Sequence, residues 1–479
     1  MSDIIHQNNN IILLDGEKIF NPTPKLLTNT EEFRTEALTF QEYGYYTKHK
    51  ADTISGRRYW EEMRQRSLTG YTANGVHISG YNYFYLNFSP ILKVESEVKL
   101  EDGSDQVSGY KLEGFPEFWD GDNLYFDYID ECEKAGKHAI VLKARRRGYS
   151  YKAASMLDRN YYMIPQSRSY AFAYSKEFLL GDGILTKAWN MMDFVDANTA
   201  LGKRRQYYNQ ALHRRASYKK NIDGIEIEHG YKSEIMGVTL QDEIQKIRGR
   251  SGKLMLFEEA GMFPGLLEAW NIAIRSMQQG RITYGTLVAF GTGGTVDADF
   301  MALEAMFGRP KSYSILPCIN IWSKVVVGNK YVGFFSPEYI NREGCMDKNG
   351  NSQIDKAKLE LDNKWEKLIK DGASSLQLAR NKAEEPVTPE EACLRVVGSM
   401  FPVDELRNIQ GELLTSRVKQ DTVYIGKLFI NPDSGEVEWK QTNDTPIINF
   451  PITPNDPVDG CLVIWQHPVA NSSGIIPFG

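Results

Sequence analysis

Three separate stretches of this chain carry side chains suited to holding phosphate and activating water. In the first, from His138 to Lys152, an apolar run leads into three arginines, a glycine and a serine. The second ends in paired carboxylates, Glu258 and Glu259, after four apolar residues. In the third, Thr292 stands in a glycine-rich segment that follows another apolar run. Cations, backbone amides, carboxylates and a hydroxyl are the groups that phosphoryl transfer requires.

The first stretch has the layout of a phosphate-binding loop, namely a strand, a cationic loop with a late glycine, and a helix that opens on a hydroxyl residue. The pattern G-x-x-x-x-G-K-[ST] is met only at Gly148 and Ser150, because Lys143 occupies the first glycine position and Tyr149 the lysine position. Gly148 can adopt a positive φ that lets backbone amides approach phosphate. Ser150 can offer its hydroxyl to Mg²⁺.

The missing lysine has to be replaced by another cation, and Arg145, Arg146 and Arg147 precede the glycine. Arginine binds phosphate through two parallel hydrogen bonds and stays charged. We predict that Arg145, the earliest in the loop, reaches back over the phosphates. Three arginines beside one glycine also fit a basic surface turn, so this interpretation depends on the carboxylates downstream.

The second stretch is typical of a buried central strand that delivers acids to its carboxyl end, where ligands bind in open α/β sheets. We predict that Glu258 belongs to the Mg²⁺ shell and that Glu259 polarises the attacking water as general base. An apolar run before two glutamates is also a common surface pattern. Thr292 ends a third predicted strand, where it can sense the γ-phosphate; a plain glycine turn is the alternative.

The 479-residue chain has a composition typical of a packed globular protein, with 42% apolar and 12% aromatic residues and a net charge of −6. Five scattered cysteines without a C-x-x-C pair argue against a zinc site or a disulfide framework and favour a reducing compartment. No basic leader and no apolar run near ~18 residues is present, which predicts a soluble intracellular protein.

Alternating strand and helix patterns after the loop predict an α/β fold with a parallel sheet. The predicted elements are a strand at 139–142, a helix at 150–163, a strand at 169–174 and a helix at 179–194. The aromatic stretch 81–88 is interpreted as core packing rather than as a base-stacking platform.

Residues 201–220 hold seven Lys and Arg residues and no acid. A solvated loop explains this run. A contact with the DNA backbone, or an arginine that acts on a neighbouring subunit's nucleotide, explains it equally well. The candidates for the second role are Arg204, Arg205, Arg214 and Arg215.

Together, the stretches Arg145–Ser150, Leu254–Glu259 and Phe290–Thr295 resemble the ATPase part of the large terminase subunits of tailed bacteriophages. That family has a deviant phosphate loop with an early arginine and no standard lysine. The resemblance implies an ASCE/RecA-like P-loop NTPase core that uses ATP and Mg²⁺. It also implies three parts: 1–110, an N-terminal arm and accessory segment; 111–310, the ATPase core; and 311–479, a lid and linker subdomain.

By resemblance, Glu259 is the catalytic glutamate, Arg145 and Thr292 are further catalytic residues, and Ser150 and Glu258 hold the metal. The implied nucleotide-binding residues are Arg145, Arg146, Arg147, Gly148, Tyr149 and Ser150.

The function implied by the resemblance is a motor that translocates viral double-stranded DNA into a preformed capsid. The implied partners are the DNA, a portal protein, a small terminase subunit and further copies of the chain in a ring, pentameric by resemblance. The implied location is the host cytoplasm and, transiently, the viral procapsid.

Large terminases normally continue into an RNase H-like nuclease with clustered aspartates. No such cluster follows residue 400, so we expect an ATPase-only fragment or a split subunit. A superfamily-2-like helicase or translocase is one alternative, although no second set of motifs follows residue 310. A structural protein with a degenerate nucleotide fold is the other, because Tyr149 and Glu258 depart from the usual Lys and Asp.

Overall fold

The computed structural model describes most of the first 393 residues and two short segments near the carboxyl end. The described residues are 10–14, 16–95, 98–99, 105–106, 110–203, 205, 211–241, 243–263, 265–280, 282–293, 300–322, 330–393, 424–442 and 462–464. The chain forms two compact units, Met1–Gly398 and Ser399–Gly479.

All α-helices in the described ranges lie in the first unit, which also contains most of the strands. The α-helices are α1 (Thr35–Tyr43), α2 (Ile54–Thr69), α3 (Gly80–Phe88), α4 (Asp120–Ala135), α5 (Tyr149–Met163), α6 (Lys176–Leu179), α7 (Ile184–Asn198), α8 (Leu266–Ser276), α9 (Phe300–Gly308), α10 (Ile354–Lys370), α11 (Ser375–Glu384) and α12 (Pro389–Ala392). The strands are β1 (Ile11–Leu14), β2 (Glu17–Phe20), β3 (Tyr71–Ala73), β4 (Val76–Ile78), β5 (Ile91–Glu95), β6 (Val98–Lys99), β7 (Asp105–Gln106), β8 (Tyr110–Gly114), β9 (Ala139–Lys143), β10 (Arg168–Ala173), β11 (His213–Ile222), β12 (Ile225–Thr239), β13 (Leu254–Glu258), β14 (Gln278–Gln279), β15 (Ile282–Thr283), β16 (Thr286–Thr292), β17 (Cys318–Ile319), β18 (Tyr331–Val332), β19 (Phe334–Ser336), β20 (Tyr424–Ile430), β21 (Val437–Gln441) and β22 (Leu462–Ile464).

The centre of the first unit is a seven-stranded sheet in the order β11-β12-β10-β13-β16-β9-β19. All neighbouring strands are parallel except the antiparallel pair β11–β12. Strands β9 and β13 are buried along their whole length, as expected for strands covered by helices on both faces. The predicted α/β class with a parallel sheet is confirmed.

The predicted helix at 179–194 is wrong in its boundaries. The helix α6 ends at Leu179, and the next helix, α7, begins only at Ile184. Gly181 has φ +70°, a left-handed conformation that a continuous helix does not contain. A Cβ at Gly183 would come within 2.4 Å of the Leu179 backbone, so the turn there is too tight for a side chain.

The aromatic stretch 81–88 forms α3, and all nine residues of this helix are buried. Its rings pack into the main core together with rings from α4 and the N-terminal segment; for example, Phe88 lies 5.2 Å from Tyr46 between ring centroids. The interpretation of this stretch as core packing is confirmed.

Strand β19 comes from the segment predicted as a lid, yet it pairs in parallel with β9 in the central sheet. Residues 334–336 therefore belong to the sheet that carries the predicted phosphate loop. The predicted boundary at residue 310 divides residues that share this sheet. A second, four-stranded sheet joins the N-terminal hairpin to later residues in the order β1-β2-β17-β18.

In the second unit, β20 pairs in antiparallel fashion with β21 and β22. A turn joins β20 to β21, and within it Gly435 has φ +72°. None of the helices in the described ranges is both long enough and apolar enough to cross a membrane.

Candidate active site

The carboxyl ends of three neighbouring strands, β9, β16 and β13, meet at one edge of the central sheet. Lys143 at the end of β9 is in register with Thr292 at the end of β16, and Phe290 of β16 is in register with Glu258 of β13. This is the edge where ligands bind in open α/β sheets.

Ser150 and Glu258, which are 108 positions apart in sequence, are in direct contact. The Ser150 hydroxyl donates a hydrogen bond of 2.6 Å to Glu258 Oε1. Glu258 is only 5% exposed, and its second oxygen, Oε2, is buried with no hydrogen-bond partner among the described residues. The predicted phosphate loop and the paired glutamates thus lie on the same side of the molecule.

Burial raises the pKa of the Glu258 carboxyl to about 7; the Ser150 hydrogen bond opposes this rise, and the charge of Glu259 adds to it. A hydroxyl beside a carboxylate with one unsatisfied oxygen fits the donor set that Mg²⁺ prefers. In nucleotide sites Mg²⁺ usually keeps several waters and phosphate oxygens, so two protein ligands suffice.

Glu259 is held by groups different from those that hold Glu258. Lys143 Nζ donates to Glu259 Oε1 at 2.9 Å and to Thr292 Oγ1 at 2.8 Å, and the Thr292 amide donates to Glu259 Oε2 at 3.2 Å. Glu259 has φ +47°, which is uncommon for a residue other than glycine and turns the chain sharply after β13. Two consecutive carboxylates thereby reach separate sets of partners.

Lys143 is the site residue that sequence reasoning missed, because the phosphate-loop pattern places a glycine there. Its side chain is 7% exposed and forms a buried ion pair with Glu259. Lysine is rarely buried unless it is paired. A lysine that ends an otherwise apolar strand at the ligand edge was the available signal.

The three loop arginines are placed differently from one another. Arg145 bonds to the Glu384 carboxylate at 2.6 Å and, through its backbone amide, to the Glu384 carbonyl at 3.0 Å; its side chain is 57% exposed. Its hydrogen bonds therefore go to α11, and the predicted reach over the phosphates is not seen in this arrangement. Arg146 is exposed with φ +60°.

Arg147 is bound to the segment before α10 rather than turned toward a ligand. Its guanidinium donates to the carbonyl of Asn341 at 2.7 Å and to the carbonyl of Glu338 at 2.5 Å, and it pairs with the Glu338 carboxylate at 2.6 Å. Both terminal nitrogens of the guanidinium, Nη1 and Nη2, already bond to protein groups, so this arrangement does not show the predicted contact of Arg147 with the nucleotide.

Tyr149 is 3% exposed, and its ring packs against Tyr125 at 4.9 Å and Phe290 at 6.1 Å. Its side chain thus belongs to the core, and only its main chain can serve a ligand. Gly148 is exposed at φ +67° immediately before α5, as the phosphate-loop prediction requires.

The basic run at 201–220 is partly neutralised by acids on α7 and β12. Arg204 lies outside the described residues. The other three candidates are paired: Arg205 with Asp196, Arg214 with Asp193, and Arg215 with Glu228 and Glu234. These acids lie on α7 and β12, so this arrangement favours a structural role over a DNA contact. The action of one of these arginines on a neighbouring subunit stays a prediction.

Comparison with known proteins finds similarity only among solved structures. No family model and no curated protein matches the chain. The ATPase domain of the Thermus phage P74-26 large terminase matches with 12% identity over 52% of this chain and 88% of that chain, at a TM-score of 0.34. The HK97 bacteriophage large terminase matches with 14% identity, 54% and 50% coverage and a TM-score of 0.32. A large terminase from a thermophilic bacteriophage matches with 13% identity, 38% and 39% coverage and a TM-score of 0.27.

Proposed function

We propose that the chain is an ATP-hydrolysing motor subunit that translocates viral double-stranded DNA into a preformed capsid. The observation that carries the ATPase proposal is the contact between Ser150 and Glu258, beside the cluster of Lys143, Glu259 and Thr292. A helix-opening hydroxyl, a buried acid, a cation and a second acid at one sheet edge are the parts that a nucleotide hydrolase needs.

Phosphate binding falls to the main chain around Gly148 and to Lys143. Gly148 precedes α5, so the first amides of that helix and its partial positive charge are available to an incoming anion. Lys143 supplies a full positive charge at the adjacent strand end. Arg145 is the further cation that we propose for the nucleotide-bound state, since its side chain is exposed on the same loop.

Ser150 and Glu258 are the residues that would hold Mg²⁺. Glu258 has to be ionised for this role, and its buried oxygen Oε2 has no other partner in the described part of the chain. When bound, Mg²⁺ neutralises phosphate charge and polarises the transferring phosphoryl group.

Glu259 is the group that we propose as the acceptor of the attacking water's proton. An ionised carboxylate can only accept hydrogen bonds, and here Lys143 and the Thr292 amide orient it. Thr292 contacts Glu259 through its amide and, at 3.4 Å, through its hydroxyl. Because Thr292 ends β16, we propose that it passes a displacement of Glu259 to that strand.

The DNA-packaging part of the proposal rests on the motif resemblance to large terminases. It includes double-stranded DNA, a portal protein and a small terminase subunit as partners, and a ring of copies on the procapsid in the host cytoplasm. Binding of each of these partners has to be tested by experiment.

The test compares the wild type with Glu259→Gln, with Glu366→Gln as an exposed control on α10. We expect the wild type to hydrolyse ATP faster when duplex DNA is added. Glu259→Gln should lose about 10²- to 10⁴-fold in turnover, because the general base is removed. It should still bind a non-hydrolysable ATP analogue with Mg²⁺ in calorimetry, and Glu366→Gln should behave as wild type.

Unchanged hydrolysis by Glu259→Gln would remove its catalytic assignment. A wild-type protein that binds no nucleotide would overturn the ATPase proposal as a whole. Hydrolysis that duplex DNA does not stimulate would leave an ATPase but contradict the DNA motor.

A further inference from the structure

Lys152, in the first turn of α5, lies beneath the phosphate loop. Its side chain is only 2% exposed. Its ammonium donates to the carbonyl of Arg147 at 2.9 Å and to Asp122 Oδ1 at 2.5 Å, and lies 4.0 Å from the centre of the Tyr149 ring. This cation is committed to protein groups and does not itself reach toward a ligand.

The bond from Lys152 fixes the orientation of the peptide between Arg147 and Gly148. In a planar trans peptide the carbonyl and the amide N–H point in opposite directions. Because the Arg147 carbonyl faces the buried ammonium, the Gly148 N–H is directed away from the core, toward the exposed side of the loop. An exposed amide at a helix N-terminus is the kind of donor that holds phosphate.

Further contacts fix the same loop residue through its side chain. The Arg147 guanidinium is bound to Glu338 and to the carbonyl of Asn341. Asn341 in turn donates its side-chain amide to Asp122 Oδ1 at 3.3 Å. Asp122 therefore joins Lys152 and Asn341, and the closed network holds Arg147 by its main chain and its side chain together.

We propose that Lys152, held by Asp122, is a positioning residue for nucleotide binding that aims the Gly148 amide at the phosphates. The inference rests on the proposed ATPase function and extends it to a pair that the phosphate-loop pattern does not contain. A purely structural ion pair stabilises the fold without affecting phosphate affinity. A positioning pair affects affinity even when the fold is stable.

Calorimetry with a non-hydrolysable ATP analogue and Mg²⁺ separates the two roles. The variants are Lys152→Met and the double variant Asp122→Asn/Lys152→Met. We expect both to bind the analogue about tenfold or more weakly than the wild type, since a hydrogen bond to a charged phosphate is lost or misaligned. Lys152→Met alone leaves Asp122 as an uncompensated buried charge and lowers Tm. The double variant should recover much of the Tm but not the affinity.

Arg159→Met is the matched control, because Arg159 is a buried cation of the same helix that bonds to the carbonyls of Ser67 and Leu68. It should lower Tm and leave analogue affinity unchanged. A folded double variant that binds the analogue as tightly as the wild type would overturn the positioning role and leave the ATPase proposal standing. A wild type that does not bind the analogue would overturn the ATPase proposal, and the positioning role with it.

Discussion

The predicted phosphate-loop region and the hairpin of β11 and β12 are both rich in cations, but the two regions differ in how their charged groups are paired. At the hairpin, Arg215 pairs with Glu228 and Glu234 on the adjacent strand. Arg214 pairs with Asp193 on the helix α7. Each of these cations has an acidic partner. At the sheet edge, Lys143 also pairs with an acid, but Glu258 keeps a buried oxygen without a partner among the described residues.

The difference teaches that a basic run in sequence does not by itself mark a ligand site. In the hairpin, Arg215 and Lys219 pair with acids on the facing strand, and cross-strand pairs of this kind stabilise a sheet. The sheet edge instead contains a buried carboxylate, Glu258, whose Oε2 has no partner among the described residues, and a cation is the partner that such an oxygen can accept.

The strongest way to test this contrast is Lys143→Met, with Lys219→Met in the hairpin as control. Lys143→Met leaves Glu259 without its buried ion pair and removes a cation from the proposed phosphate site. We expect kcat/KM for ATP to fall about 10- to 100-fold, since hydrogen bonds to charged groups contribute about 1.5–3 kcal/mol. The Lys219–Glu226 pair is about half exposed, and its loss should leave kcat/KM unchanged.

Equal losses of kcat/KM in the two variants, measured by steady-state hydrolysis, would remove the distinction between the regions. A normal Lys143→Met enzyme would show that Lys143 serves the fold alone.

A second effect concerns pH. The pKa of Glu258 is raised to about 7. Between pH 4.5 and about 7, the folded protein therefore keeps a proton that an ordinary glutamate, with a pKa of 4.5, has lost. The stability that this proton gives is present at low pH, and it declines as pH rises through the interval from 4.5 to about 7. Metal binding has the opposite dependence, since it requires the carboxylate.

We therefore expect Mg²⁺-dependent binding of the ATP analogue to weaken on the order of tenfold per pH unit below about pH 7. Glu258→Gln should weaken binding at every pH and flatten this dependence, which calorimetry at several pH values will show. A wild-type profile that is flat across this range would contradict the role of Glu258 as a metal ligand.

The smallest effect is expected from Arg215→Met in the hairpin. Its side chain is 28% exposed, and its buried partner Glu234 keeps its contacts with Arg168 and His213, so the free energy of unfolding should fall by about 1 kcal/mol or less. ATP hydrolysis should stay at the wild-type rate. A large loss of hydrolysis with an unchanged denaturation midpoint would instead support an arginine that acts on a neighbouring subunit.

The sequence predicts the parts of this site that depend on burial and periodicity. The apolar run before the loop forms β9, as predicted. The predicted helix from Ser150 corresponds to α5, whose first residue lies one position earlier. The meeting of Ser150 and Glu258 follows from both segments belonging to one parallel sheet.

The sequence does not predict which groups the long polar side chains bind. Arg147 bonds to residues more than 190 positions away, and no local pattern indicates where they lie. Tyr149 stands where the motif has a lysine, but its ring gains more from burial against Tyr125 and Phe290 than from exposure. Lys143 was overlooked because the motif has a glycine at that position, although the residue also ends a strand at the ligand edge of the sheet.

The pairing of β9 with β16 and β19 has a consequence for synthesis on the ribosome. A chain made from its N-terminus contains Ala139–Lys143 long before Thr286–Thr292 and Phe334–Ser336 are available to pair with it. During that interval an apolar strand that is fully buried in the finished protein has both edges open. Nascent chains that end before residue 292 should accordingly depend on chaperones and aggregate when released.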